Sequence, residues 1–129
     1  MKRVVSIALL ILIASCGDST AETIIFGEGD IPPAIPSDFP LPTDAVIGAT
    51  LVDTVNTKSE FEFRTATDMA PLVQAMSVGL VELGYVVESS SGDTVQWAIG
   101  FRRNGLEGSI QFRSFGPGAA QGVVRVNDT

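Results

Sequence analysis

The chain contains no histidine and a single cysteine, Cys16. Ser-His-Asp and Cys-His catalysis both need an imidazole base, and His/Cys zinc sites need several such ligands, so these chemistries are excluded. No P-loop, Gly-x-Ser-x-Gly elbow or dinucleotide fingerprint occurs either. Carboxylates and arginines remain. Glu60 and Glu62 recur at strand spacing, about 7 Å apart, a separation used by acid/base pairs in glycoside hydrolysis. The same spacing arises when Glu60, Glu62 and Arg64 form the solvated side of a half-buried strand, which is the simpler account. Glu28-Gly29-Asp30 offers oxygens to calcium without a fuller ligand set. Gly116-Pro117-Gly118 offers backbone donors to an anion, yet no lysine follows it. Arg102 and Arg113, with Gln96 and Gln111, form a polar stripe suited to an anionic ligand or simply to water, with Glu107 available to Arg102. No metal, cofactor or enzymatic activity is expected.

Cys16 has a more specific context. Lys2 and Arg3 open the chain, residues 4–14 are apolar apart from Ser6, and Ala14 and Ser15 are small. This is the three-part plan of a secretory signal, and the run is shorter than the roughly 20 residues a spanning helix needs. Ile13-Ala14-Ser15-Cys16 resembles the lipobox of bacterial lipoproteins. The resemblance implies cleavage before Cys16, diacylglyceryl attachment to its thiol and usually acylation of the new amino terminus. A mature chain of 114 residues results. Each buried methylene contributes roughly 0.8 kcal/mol, so two or more acyl chains hold firmly where one does not. Cleavage without lipid and an uncleaved anchor are the competing readings. Gly17 at the following position resembles an outer-membrane address, leaving the cell membrane or the outer membrane as the expected location.

Charge points the same way. The net charge is −7, and removing Lys2 and Arg3 leaves 6 basic against 15 acidic side chains, or −9. Such a surface repels phosphate backbones, so no nucleic acid is expected, and headgroup attraction is weak. Membrane attachment therefore falls to the lipid at Cys16. One cysteine also forbids an internal disulfide, so the core must hold by packing.

Three segments are expected: a signal at 1–15, a lipidated and proline-rich tether at 16–42, and a domain at 43–129. The tether holds Pro32, Pro33, Pro36, Pro40 and Pro42, and Phe39 and Leu41 are expected to dock on the domain. Residues 45–53 and 59–65 read as strands, the latter with Phe61 and Phe63 on one face. Asp68 is the expected N-cap of a helix whose Met69, Leu72, Val73, Met76, Leu80 and Leu83 recur at helical spacing until Gly84. Residues 85–89, 94–103, 106–115 and 122–127 complete the strands, and Asn104-Gly105 marks a two-residue hairpin. That turn makes paired positions sum to 209, so Trp97 meets Phe112, Ile99 meets Ile110 and Phe101 covers Gly108, while Arg102 meets Glu107 and Gln96 meets Arg113. The order ββαββββ implies an α+β two-layer sandwich, one helix on an antiparallel sheet, with Met69, Met76 and Trp97 in the core. Pro36-Ser37-Asp38-Phe39-Pro40 followed by this order resembles small uncharacterised lipoprotein domains of bacterial envelopes, over residues 36–127, which implies a fold and no activity.

The helix carries one anomaly. Its far side holds Ala70, Gln74, Val78 and Val81, and only Asp68 and Glu82 are charged. Either the Phe39/Leu41 segment covers Val78 and Val81, or a partner does. The expected function is a non-enzymatic interaction or accessory module of the cell envelope with an envelope protein as partner. A carboxylate/arginine ligand binder or hydrolase, and a structural spacer, are the alternatives.

Overall fold

Alternation builds the sheet. In the segment Lys58–Thr65, Ser59, Phe61, Phe63 and Thr65 are buried, while Glu60 and Glu62 are half-buried and Arg64 is exposed on the other face. The computed structural model describes residues 24–128. Its elements are β1 (Ile24–Glu28), β2 (Val46–Asp53), β3 (Lys58–Thr65), α1 (Met69–Glu82), β4 (Val86–Gly92), β5 (Gln96–Arg103), β6 (Leu106–Ser114) and β7 (Ala120–Asp128). All strands pair antiparallel in one sheet, in the order β1-β2-β3-β7-β6-β5-β4. One helix on one face of that sheet makes the protein α+β. The expected signal at 1–15 and Cys16 lie outside the described residues.

The β5–β6 hairpin adopts the register that its turn dictates, from Arg103 opposite Leu106 to Gln96 opposite Arg113. Asn104 and Gly105 both take positive φ, 45° and 85°, which matches the right-handed twist of the flanking strands. Gly108 lacks a side chain where the Phe101 ring lies: a Cβ there would stand 2.6 Å from Phe101 Cζ. Gly122 likewise makes room for Phe63. Met69, Leu72, Met76 and Leu80 of α1 close this core over Phe61, Phe63, Ile99, Phe101, Ile110, Phe112, Val124 and Val126.

The helix stops as its sequence implies. Gly84 (φ 89°) donates to the Val81 carbonyl and Tyr85 to the Leu80 carbonyl, a Schellman closure that satisfies two terminal acceptors. Asp68 takes the extended backbone of an N-cap, but its carboxylate makes no capping bond and instead accepts from the Gly118 amide. The β6–β7 loop thereby ties itself to the start of α1.

The largest difference from expectation concerns residues 24–42. Within the stretch read as a tether, Ile24–Glu28 forms a strand on β2, and Pro32, Ile35 and Phe39 are buried. Phe39 docks as expected, with its ring 5.7 Å from Phe101 and 6.2 Å from Tyr85. Pro40 lies against Gly79, the one glycine of α1, where a Cβ would stand 2.6 Å from Pro40 Cβ. Asp44 ends the excursion by accepting from the Thr65 hydroxyl (2.6 Å) and the Ala66 amide (2.9 Å). Those bonds hold its carboxyl below the ordinary aspartate range, the Thr65 contact contributing most.

Candidate functional site

The carboxylate pair disperses into structural contacts. Glu60 Oε1 accepts from Arg125 Nε at 2.5 Å, and Glu62 Oε2 accepts from Gln121 Nε2 at 3.0 Å. Each acid is thus committed to a neighbour on the central strand β7, leaving no open pair flanking a cleft. Glu28 closes β1, and Gly29 donates to the Gly48 carbonyl, so that triplet serves a strand end. Among the described residues no group of three or more acidic, histidine or cysteine side chains is placed to hold a metal ion. In Gly116-Pro117-Gly118 the Gly118 amide is engaged by Asp68, which removes a donor the anion cradle requires.

The arginine stripe also divides. Arg102 bonds Glu88 at 2.7 Å, with Glu107 opposite it in register but not its hydrogen-bond partner. Glu88 is the extra residue where the register of β4 on β5 shifts between Val87 and Ser89. Arg113 lies six residues along β6 from Glu107, the residue opposite Arg102, and so about 20 Å away. The two guanidinium groups therefore cannot hold one small ligand. Arg113 instead borders a shallow hollow of about 450 Å³ with Gln96, Gln111 and Gln121 on the helix-free face.

The helix side differs in character. Phe39 and Pro40 dock beside α1, at Tyr85 and Gly79, and leave Val78 and Val81 49% and 59% exposed. The internal cover expected for these valines is absent among the described residues. Phe39 is drawn instead into the aromatic cluster of Tyr85 and Phe101, where its ring is buried. Ala70, Pro71, Gln74, Ala75, Val78 and Val81 form one exposed stripe at helical spacing, without a charge until Glu82.

At its amino-terminal end this stripe runs into a groove of about 750 Å³. Met69, Ala70 and Val73 line it from α1, Trp97 from β5, Thr94 from the β4–β5 turn and Pro117 from the β6–β7 loop. Trp97 was expected in the core with Met69 and Met76; both methionines are buried, and Trp97 packs half-buried against that core while its remaining surface lines the groove. Its indole Nε1 donates to Ser90 Oγ at 2.9 Å, which fixes the ring across β4. Asp93 stands at the rim and accepts from the Gln96 and Val95 amides, both at 2.8 Å. Those two bonds, Gln96 first, hold its carboxyl below the ordinary aspartate range, so the rim is anionic at neutral pH. The groove escaped the sequence because its walls come from α1, β5 and the β6–β7 loop, and only the half-polar nature of Trp97 hinted at a place near the surface.

The arrangement supplies apolar area, a fixed aromatic wall and an anionic edge. It brings together no nucleophile, base and oxyanion donors. No helix among the described residues is long and apolar enough to cross a membrane. No family model, curated protein or solved structure matches this chain.

Proposed function

We propose that the chain is an exported lipoprotein, anchored in a cell-envelope membrane through Cys16, whose domain works by contact with an envelope protein rather than by catalysis. The anchoring rests on the signal-like residues 1–15 and on the Ile13-Ala14-Ser15-Cys16 motif. The observation that supports the contact role is the continuity of the charge-free α1 stripe with the Trp97 groove, Ala70 belonging to both. Exposed apolar area of this kind, rimmed by polar groups, marks interaction surfaces on soluble domains. An aromatic wall held by a hydrogen bond is a fit anchor for a partner's apolar side chain. The anionic rim at Asp93 favours a basic residue beside that anchor.

Two measurements test this. Mass spectrometry of the native protein should give a chain beginning at Cys16 with acyl mass; an unmodified thiol or another start refutes the anchor. A photo-crosslinking amino acid at Val78 or Ala70, in cells, should capture a discrete partner that the same probe at Gln111 on the open face does not. Equal capture from both faces refutes the assignment of the surface.

A further inference from the structure

The two edges of the sheet are built differently. β4 is blunted: it reads Val86-Val87-Glu88-Ser89-Ser90-Ser91-Gly92, with a register irregularity in its middle and a charged, serine-rich run. Irregularity and charge are what keep an edge strand from pairing with another chain. β1, at the other edge, reads Ile24-Ile25-Phe26-Gly27-Glu28. It has no lysine, no proline and an unbroken register on β2. Ile24, Ile25 and Phe26 are 51%, 52% and 75% exposed, and no strand among the described residues pairs with its outer side.

We infer that β1 is the seam of a symmetric dimer of this chain, two copies pairing antiparallel through their β1 edges. Centred on Phe26, such pairing makes positions sum to 52. Phe26 then meets Phe26 of the second copy, Ile24 meets Glu28, and Ile25 meets Gly27. Like charges never face each other, because Glu28 lies opposite an isoleucine. The bulky Ile25 lies opposite the residue without a side chain, so the two complement each other in volume. Burying the edge in lipid instead would leave its backbone amides and carbonyls unsatisfied, whereas a second strand satisfies them.

Five residues a side is well below the roughly 20–30 of a stable solution interface, so the seam depends on confinement. In that respect it rests on the anchoring proposed above. The eight steps from Cys16 to Ile24 span at most about 28 Å even when extended, so β1 stays close to the bilayer. A seam of five residues is only about 17 Å long, so both anchors reach the same leaflet. Confining two copies to one surface raises their effective concentration without any new contact.

The test uses the full-length chain in its native membrane. Phe26→Cys and, on the opposite edge, Ser90→Cys are each treated with a short bis-maleimide. Phe26→Cys is expected to yield a species of twice the chain's mass, about tenfold more than Ser90→Cys, and adding Ile25→Lys should abolish it. Circular dichroism of Ile25→Lys, expected to be unchanged, separates a lost seam from a lost fold. Equal yields at the two edges, or a product of another mass, overturn the seam. Maleimide labelling of the wild-type chain reads the anchor separately. A blocked Cys16 with no Phe26→Cys dimer refutes the seam alone. A reactive Cys16 refutes the anchor, and the seam then stands only if the Phe26→Cys dimer still forms.

Discussion

Replacing Gly79 with alanine tests whether residues 31–42 belong to the folded domain, because the two possibilities differ in sign. Gly79 lies inside α1, where glycine is less favourable than alanine by about 1 kcal/mol. Were the proline-rich segment free, Gly79→Ala would stabilise the chain by about that amount. In the structure, however, the new methyl group stands 2.6 Å from Pro40 Cβ and 3.3 Å from its Cγ. A relaxed carbon–carbon contact needs about 3.5–4.0 Å, so the Pro40 ring must retreat by about 1 Å. Pro40 is rigid and follows Phe39, whose ring is 7% exposed among Tyr85 and Phe101, so the retreat disturbs a packed aromatic cluster. Overpacking of this kind costs about 1–3 kcal/mol. Taking about 2 and subtracting the helix gain leaves a net destabilisation of about 1 kcal/mol. For a domain of roughly 100 residues that lowers the Tm by about 4 °C, against a rise of similar size for a free segment. Thermal and urea unfolding of the full-length chain measure it. A raised midpoint for Gly79→Ala would show that the segment does not lie on α1.

Other expectations follow from the same contacts. Val78→Asp with Val81→Lys should leave the Tm within a few degrees, since both positions are exposed and surface changes are usually worth under 0.5 kcal/mol, while abolishing capture from the helix face. A Tm loss above 10 °C would mean that these valines are covered internally. Arg103→Ala should destabilise by about 2 kcal/mol, because its guanidinium bonds the Leu83 carbonyl at 2.9 Å and lies 4.2 Å over the Tyr85 ring. Arg102→Ala, which breaks an exposed and solvent-screened pair, should lose clearly less, and chemical denaturation should rank the two. Stability should be flat from about pH 5 to 8, since there is no histidine to titrate. Asp44, Asp53 and Asp93 have carboxyls held below their ordinary value of 3.8 by hydrogen bonds, from Thr65, Asn56 and Gln96 first. Their contribution is full above pH 3.8 and disappears as the pH falls through the lowered values. Urea midpoints should therefore drop below about pH 4, and Asp44→Asn with Asp53→Asn and Asp93→Asn should flatten that drop.

Much of the architecture was legible because it is local. The helix period ran from Met69 to Leu83 and stopped at Gly84, and the Asn104-Gly105 turn set eight cross-strand pairs at once. Phe39 in a proline-rich run was too apolar to be spacer, and it docks. β1 was not legible: five residues with both faces exposed carry no alternation to read. The carboxylates and arginines were correctly placed on a wet strand face, yet their partners were not. Glu60 finds Arg125 and Glu62 finds Gln121 across the pairing of β3 with β7, more than fifty residues apart.

By itself the sequence determined which chemistry the chain lacks, since without an imidazole no arrangement of the fold can restore that base. It also determined the elements, because helix and strand periods are properties of neighbours along the chain. Only the tertiary structure decided which strand stands at the edge, that Trp97 lines a groove as well as packing on the core, and that Val78 and Val81 face outward. Those outcomes depend on how apolar faces from distant segments close over one another. Phe39 entering the Tyr85–Phe101 cluster, and so leaving the valines open, is a competition that no local window contains.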